Sequence, residues 1–133
     1  MTSEEARRRF ADERVARLAT ADAAGRPHLV PIVFAVDGDR IYSAVDAKPK
    51  RTTKLRRLAN VRENAAVSLL VDHYEDDWEA LWWARADGSA RALAADEPEA
   101  RHALALLAQR YPQQRDAGTV LVIDVARWSG WHA

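Results

Sequence analysis

The sequence contains no cysteine, which excludes disulfide bonds, zinc–thiolate sites and thiol nucleophiles. It also has no apolar run close to the ~20 residues that a membrane-spanning helix needs. The first residues, MTSEEARRRFADE, are charged and lack the apolar centre of a signal peptide. We therefore expect a cytoplasmic protein with no membrane partner.

An excess of charge of one sign is also lacking, because 20 Lys and Arg residues balance 20 Asp and Glu residues. Nucleic-acid binding normally needs a basic field over a whole face, so we expect no nucleic-acid partner. With 133 residues, of which 48% are hydrophobic, the chain is long and apolar enough for one folded domain. We expect that domain to span residues 1–133.

Motifs for metal binding and for nucleophilic catalysis are missing as well. The 4 histidines stand apart, without the i, i+4 pair of a metal-binding helix, and no serine lies in a nucleophile elbow. The acidic residues of HYEDDWE, residues 73–79, do not follow the spacing of an EF-hand loop. The sequence thus predicts no metal site and identifies no catalytic residue.

Short apolar runs separated by turn signals dominate the chain and predict β-strands. Runs at 15–21, 28–36 and 41–45 flank the turn sequences DAAG and DGD, a pattern typical of hairpins. Further strands are predicted at 65–72 and in the final 15 residues, from 119 onwards. Residues 82–95 predict either one strand or a hairpin that turns at Asp87-Gly88.

Three helices complete the predicted pattern. The first begins with a capping box at Thr2 and Glu5, and the second covers residues 53–61, capped by Thr52 or Thr53. The third begins with Asp96 as its cap and ends before Pro112. Six or seven strands with one substantial late helix are typical of a small β-barrel decorated by helices.

The basic segment, residues 48–62 with the sequence KPKRTTKLRRLANVR, carries seven cationic side chains and no acidic one. A solvated helix face is one interpretation. However, these cations repel one another unless a negative group lies among them. Lysine, arginine and threonine side chains at a helix start, together with free backbone amides, form a good phosphate site. We therefore favour an anion site.

Tryptophan is concentrated in DWEALWW, where Trp78, Trp82 and Trp83 fall within six positions. These side chains could belong to the core or to a dimer interface, or they could form the wall of a pocket for a flat aromatic ligand. Five tryptophans in a chain of 14.9 kDa exceed what its own core readily hides, which favours a homodimer.

Three phrases of the sequence, LATxDxxGxPHxVP, KPKxTxxLxRLxN and DDWxxLWWxR, resemble the pyridoxamine-phosphate-oxidase-like split β-barrel superfamily. Within it, the chain is most similar to the flavin/deazaflavin oxidoreductase B group of actinobacteria, many of which use the deazaflavin coenzyme F420. The resemblance covers nearly the whole length. It implies a mainly β fold with helices, a split β-barrel of the FMN-binding type, in a homodimer that holds its cofactor at the subunit interface.

The resemblance also implies a set of cofactor-binding residues. The strand PHLVPIVF would pass the cofactor ring and contact it, mainly through backbone and apolar groups, at Val30, Pro31 and Ile32. The next strand and the loop after it would hold the phosphate through Ser43, Ala44, Lys48, Lys50, Thr52 and Arg57, with Arg51 and Lys54 nearby. Trp78, Trp82 and Trp131 would close the pocket from the partner subunit. Ala65 departs from the proline found in many relatives, which alters a turn and leaves the chemistry untouched.

The implied activity is hydride transfer between coenzyme F420 and an unsaturated small molecule. Two alternatives stay open: an FMN-dependent oxidase or reductase of the same fold, and a cofactor-binding protein without turnover. Coenzyme F420 carries an anionic phosphodiester–oligoglutamate tail, which suits the basic segment better than a neutral ligand does. Tyr42, Tyr74 and His28 are the candidate proton donors near the predicted pocket, and no motif sets one apart.

Overall fold

The computed structural model describes residues 1–46, 52–114 and 117–133. Its three α-helices are Ser3–Asp12 (α1), Thr52–Glu63 (α2) and Pro98–Arg110 (α3), and a short 3₁₀ turn covers Trp78–Ala80. The strands are Ala16–Ala21 (β1), Pro27–Ile32 (β2), Ala35–Asp37 (β3), Arg40–Asp46 (β4), Ala66–His73 (β5), Trp82–Ala94 (β6) and Ala117–His132 (β7). Among the described helices, none is both long and apolar enough to cross a bilayer.

The strands form a 7-stranded sheet in the order β2-β1-β5-β6-β7-β4-β3, with antiparallel pairing throughout. The two strands at its margins, β2 and β3, follow one another in sequence and are separated only by Val33 and Phe34. The sheet therefore curls until its margins meet, as in a barrel. The predicted mainly β fold with helices, a split β-barrel, is confirmed.

The bend between β2 and β3 divides a run that the sequence predicts as one strand, residues 28–36. Its backbone groups take side-chain partners instead of a neighbouring strand. The Ser43 hydroxyl donates to the Val33 carbonyl at 2.9 Å, and the Tyr111 hydroxyl lies 3.1 Å from the Phe34 carbonyl. Arg110 also donates to the Phe34 carbonyl, at 3.0 Å. These contacts satisfy the buried polar groups that the bend would otherwise leave unpaired.

β6 is one strand of 13 residues, so the hairpin alternative for residues 82–95 is wrong. Asp87 and Gly88 mark a shift in register against β7 rather than a chain reversal. A Cβ atom on Gly88 would lie 2.1 Å from the carbonyl oxygen of Asp124 on β7. Glycine is needed here because the backbones of β6 and β7 approach closely. In the sequence alone, such a glycine looks the same as the glycine of a tight turn.

The helix starts follow the predictions in part. The Thr2 hydroxyl accepts a hydrogen bond from the Glu5 amide at 3.1 Å, as the capping box predicts, and α2 includes the whole of the predicted helix at 53–61. The cap of α3 is Glu97 and not the predicted Asp96. Pro98 fixes the first helical position, which leaves the residue directly before it as the cap.

The helices cover different parts of the barrel. Phe10 of α1 packs edge-on against Phe34 and Trp128 inside the barrel, with ring centroids 5.1 and 5.4 Å apart. Leu58 and Val61 of α2 join the same core. α3 packs with residues of β4 and β7 in a second apolar cluster. The outward side chains of β2, β1 and β5 stay exposed at several positions, including Leu29 and Leu70.

Candidate functional site

The basic segment, residues 48–62, includes nearly all of α2, whose first residue is Thr52. Three of its predicted anion ligands, Lys48, Lys50 and Arg51, lie outside the described residues. Thr52 and Lys54 lie in the first turn of α2, but their side chains are also outside the described part. Their predicted roles in phosphate binding stay predictions.

Arg57 is the described cation that departs most clearly from a solvated helix face. Its side chain is buried, with 7% exposure, whereas the neighbouring Arg56 is exposed. Arginine is seldom buried unless it is paired, because removing a charge from water is costly. The position of Arg57 thus fits a binding or structural role better than a random surface charge.

Arg56 faces the hairpin loop between β1 and β2. Backbone hydrogen bonds from Arg26 and Ala24 hold the pKa of Asp22 below its ordinary value, and the charges of Arg26 and Arg56 act in the same direction. The Asp22 carboxylate accepts from both amides at 2.9 Å. The loop is therefore a closed turn that lies near the exposed side of α2.

A buried polar pair joins α2 to the barrel. The Asn60 side-chain amide donates to the Thr20 hydroxyl at 3.0 Å, and both residues are 4% exposed. Thr20 belongs to the phrase LATxD and Asn60 to RLxN, two of the sequence phrases on which the family resemblance rests. The two phrases are thus linked in the folded chain by a direct hydrogen bond between Thr20 and Asn60.

The strand predicted to pass the cofactor ring, β2, alternates between inward and outward side chains. Ile32 is buried in the core, and Val30 packs against the same core. Pro31 is exposed on the outward side. A ring on the outer surface could thus meet Pro31 directly and Val30 and Ile32 only through their backbone.

Ser43 and Ala44, on β4, are both buried. The Ser43 hydroxyl is engaged with the Val33 carbonyl at the bend, and Ala44 packs in the cluster under α3. Both side chains therefore have structural partners in the described chain. Their predicted part in phosphate binding stays a prediction.

The predicted aromatic residues of the pocket lie in different surroundings. Trp78, in the 3₁₀ turn, is 76% exposed, and Trp131 near the end of β7 is also exposed. Trp82 packs against the core with the Arg9 guanidinium 5.2 Å from its ring centroid. Trp83 stands opposite Trp131 in the β6–β7 register. The core interpretation thus fits Trp82, and Trp78 and Trp131 are free to contact a ligand or a partner.

The bare face is our name for the outward surface of β2, β1, β5 and the first half of β6. In its register, Arg17 lies between Pro31 and Leu70, and Ala19 lies between Leu29 and Ser68. A cleft of about 440 Å³ opens at its edge, lined mainly by small residues of β1, β5 and β6. The bare face thus combines exposed apolar side chains, Leu29 and Leu70, with a cleft at its edge.

A charged network under α3 has no counterpart in the sequence predictions. The Glu99 carboxylate accepts from Arg40 at 2.8 Å, from Arg91 at 2.9 Å and from the Tyr42 hydroxyl at 3.1 Å. Hydrogen bonds from Arg91 and then Tyr42 hold the pKa of Glu99 below its ordinary value. Burial raises the pKa of Tyr42, which is engaged with Glu99 and is a poor candidate for donating a proton elsewhere.

The polar cavity beside this network, about 390 Å³, is lined by three carboxylates that already have partners. Asp37 contacts His102 at 2.7 Å, Asp39 accepts from the Trp128 indole at 2.9 Å, and Asp124 accepts from Arg91 at 2.8 Å. The network therefore serves to hold α3 on the barrel. No signal in the sequence joins these residues, because they come from four separate elements.

The other two candidate proton donors differ in their access to solvent. Tyr74 is exposed in the loop after β5. The Nε2 atom of His28 is buried and forms no hydrogen bond with any residue in the described part of the chain. His28 stands opposite Thr20 in the β1–β2 register, close to the Asn60–Thr20 pair.

Comparison with solved structures places the fold among known proteins. A FAD-binding protein from Mesorhizobium loti superposes with a TM-score of 0.75 at 22% identity, over 98% of this chain and 92% of that one. The conserved hypothetical protein Rv2991 from Mycobacterium tuberculosis gives 0.72 at 24% identity, over 99% and 85%. The heme storage protein HutZ from Vibrio cholerae gives 0.70 at 20% identity, over 99% and 95%.

Sequence comparison adds the family. No curated protein sequence matches the chain significantly. The family profile described as pyridoxamine 5'-phosphate oxidase, in contrast, matches residues 2–132, which is nearly the whole chain. The superfamily expected from the three sequence phrases is thereby confirmed, whereas its F420-using group stays a prediction. The chain belongs to the pyridoxamine 5'-phosphate oxidase family.

Proposed function

We propose that this protein binds a phosphorylated flavin or deazaflavin, coenzyme F420 above all, and uses it to reduce an unsaturated small molecule. One observation carries the proposal: the basic segment, with seven cations and no acidic residue, spans the position where α2 begins. A helix start with adjoining cations and hydroxyls is suited to a phosphate group. The Mesorhizobium loti protein described as FAD-binding supports a cofactor of the flavin type.

The residues present suit an anionic cofactor. The basic segment and the buried Arg57 would hold its phosphate, and the outward side of β2 around Pro31 would support its ring. When bound, such a cofactor supplies two-electron hydride chemistry. The protein would orient the ring toward the substrate. A substrate such as an enone or a quinone could take its proton from solvent at the open side of the pocket.

We further propose a homodimer in which a second copy covers the bare face. Leu29 is 66% exposed there, a large apolar side chain that burial would stabilise. Asp87 on this face already pairs with Arg85 at 3.0 Å, so apolar contact rather than charge pairing would hold the two copies together. Pro27 and Pro31 lack the amide N–H needed to extend the sheet at β2, which favours packing of faces over strand addition.

This arrangement gives the exposed tryptophans a role. Trp78 and Trp131 of one subunit would then lie against the cofactor of the other, as the family resemblance implies. Each cofactor ring would thus be enclosed by residues of both subunits. We propose that the pocket is complete only in the dimer.

Titration of the purified apoprotein with coenzyme F420, FMN, FAD and hemin tests the proposal. We expect the tightest binding with F420 and faster oxidation of the reduced cofactor when an enone acceptor is added. Tighter binding of FMN than of F420 would favour the alternative of an FMN-dependent oxidase or reductase. Binding without acceptor-dependent oxidation would favour a cofactor-binding protein without turnover, and binding of hemin alone would contradict the proposal.

A further inference from the structure

We propose that Asn60 and Thr20 are positioning residues that set the distance between Arg57, the described cation of the anion site on α2, and the ring-supporting strand β2. The inference rests on the proposed function, since it assigns the pair a role in cofactor binding. Neither residue is among those assigned above to the phosphate or to the ring. The inference begins from the hydrogen bond of 3.0 Å between the Asn60 side-chain amide and the Thr20 hydroxyl.

The pair connects three elements in a line. Asn60 projects from α2, Thr20 belongs to β1, and Thr20 stands directly opposite His28 of β2. Arg57 precedes Asn60 by three positions, and residues three apart lie on the same side of a helix. The face of α2 that bears the buried cation is thus the face that the pair ties to the sheet.

The apolar contacts that Leu58 and Val61 of α2 make have no strong direction. Leu58 and Val61 contribute apolar side chains to the core, where the hydrophobic effect favours burial without fixing an angle. A one-residue change in the register of a helix turns its side chains by about 100°. A hydrogen bond between two buried side chains, in contrast, depends steeply on distance and angle. The Asn60–Thr20 bond is therefore suited to fix both the rotation and the height of α2.

Burial of the pair permits a test that separates position from stability. Removal of one partner leaves the other as a buried unsatisfied group and destabilises the fold, whereas replacement of both by apolar groups of similar shape can be nearly neutral. Thr20→Val and Asn60→Leu are such replacements. Asn60→Ala alone should lower the melting temperature, and the double variant Thr20→Val/Asn60→Leu should recover most of that loss.

Cofactor affinity should behave differently from stability. We expect both variants to bind F420 about tenfold more weakly, since a displacement of binding groups by about 1 Å already has effects of this order or more. Competition by inorganic phosphate should be unchanged in the double variant, because phosphate alone contacts only the α2 end of the site. Ala59→Gln, a change at an exposed position of the same helix that alters no buried polar group, serves as the control.

The outcomes are distinct. Recovery of F420 affinity together with the melting temperature would overturn the inference, because the pair would then act through stability alone. An equal loss of affinity for phosphate would also overturn it, since the pair would then support the anion site and not its distance from β2. If the unaltered protein binds none of the four cofactors, the proposed function fails. The positioning role of the pair is then tested by hydrogen exchange of the α2 backbone amides. We expect this exchange to be faster in the double variant than in the unaltered protein, although its melting temperature has recovered.

Discussion

Arg91 of β6 donates from Nη1 to one carboxylate oxygen of Glu99 at 2.9 Å and from Nε to Asp124 of β7 at 2.8 Å. One guanidinium therefore ties the first turn of α3 to two strands of the barrel. Bonds between charged groups are stronger than neutral ones, and the fork shape of arginine fixes their direction. This contact accounts for the position of α3 over β4 and β7.

Glu99→Gln should destabilise the protein by about 1–2 kcal/mol, because it removes the charge that Arg91 and Arg40 face. Urea denaturation followed by circular dichroism would measure the change in the free energy of unfolding. Glu4→Gln is the matched control, since Glu4 is an exposed residue in an i, i+3 surface pair with Arg7. Equal stability of the two variants would contradict a structural role for the network.

The same network predicts a loss of stability in acid. Arg91 above all, with Arg40, holds the pKa of both Glu99 and Asp124 below their ordinary values of 4.5 and 3.8. For a lowered carboxyl pKa, the contribution to stability is complete above the ordinary value and disappears as the pH falls through the folded value. Melting temperatures between pH 7 and about pH 3 should therefore fall less steeply in Glu99→Gln than in the unaltered protein.

Gly88→Ala should lower stability by about 2 kcal/mol or more, because its methyl group would collide with backbone and not with a movable side chain. The Asp124 carbonyl oxygen would be the nearest atom to that methyl carbon, at 2.1 Å. Thermal unfolding measures the effect. Ser89→Ala, at an exposed position one residue later on β6, should change the melting temperature little.

Lys50→Ala and Arg57→Ala should each weaken cofactor binding by about 1–3 kcal/mol, the scale of a hydrogen bond to a charged group. Isothermal titration with F420 measures the affinity. Arg62→Ala is the control, since Arg62 is an exposed cation in the last turn of the same helix. Unchanged affinity in both test variants would place the anion site elsewhere.

Leu70→Asp should shift the protein from dimer to monomer, because it removes an apolar side chain from the bare face and adds a charge that the interface would have to desolvate. Sedimentation velocity measures the oligomeric state. Val15→Asp is the control: Val15 and Leu70 are both 38% exposed, but Val15 precedes β1. A dimer that survives Leu70→Asp would place the interface on another surface.

Local features were predictable where a few neighbouring residues decide the conformation. The Thr2 cap, the turn at Gly38 with its φ of 61°, and the helix at 53–61 all follow from short stretches of sequence. Sequence phrases likewise identified the superfamily. Asp87-Gly88 was ambiguous because a tight turn and a close approach of strands both favour glycine.

Features that depend on distant contacts could not be predicted. The bend after Ile32 requires Tyr111, 77 positions beyond Phe34, and the Glu99 network joins residues of β4, β6, β7 and α3. The burial of Arg57 is similar, since its spacing in α2 does not distinguish an inward from an outward guanidinium. In the candidate site, the residue types could thus be predicted from the sequence, whereas their burial and contacts could be read only from the structure.

The contact between Tyr111 and the bend also bears on the order of events during synthesis. The Tyr111 hydroxyl lies 2.8 Å from the Arg14 carbonyl as well as near Phe34, so it holds both ends of the β1–β2 hairpin. On the ribosome, chain emerges from the amino terminus, and the hairpin is made long before its anchor is available. β7, which joins β6 to β4 in the sheet, is made later still, so we expect the barrel to close only near the end of the synthesis of these residues.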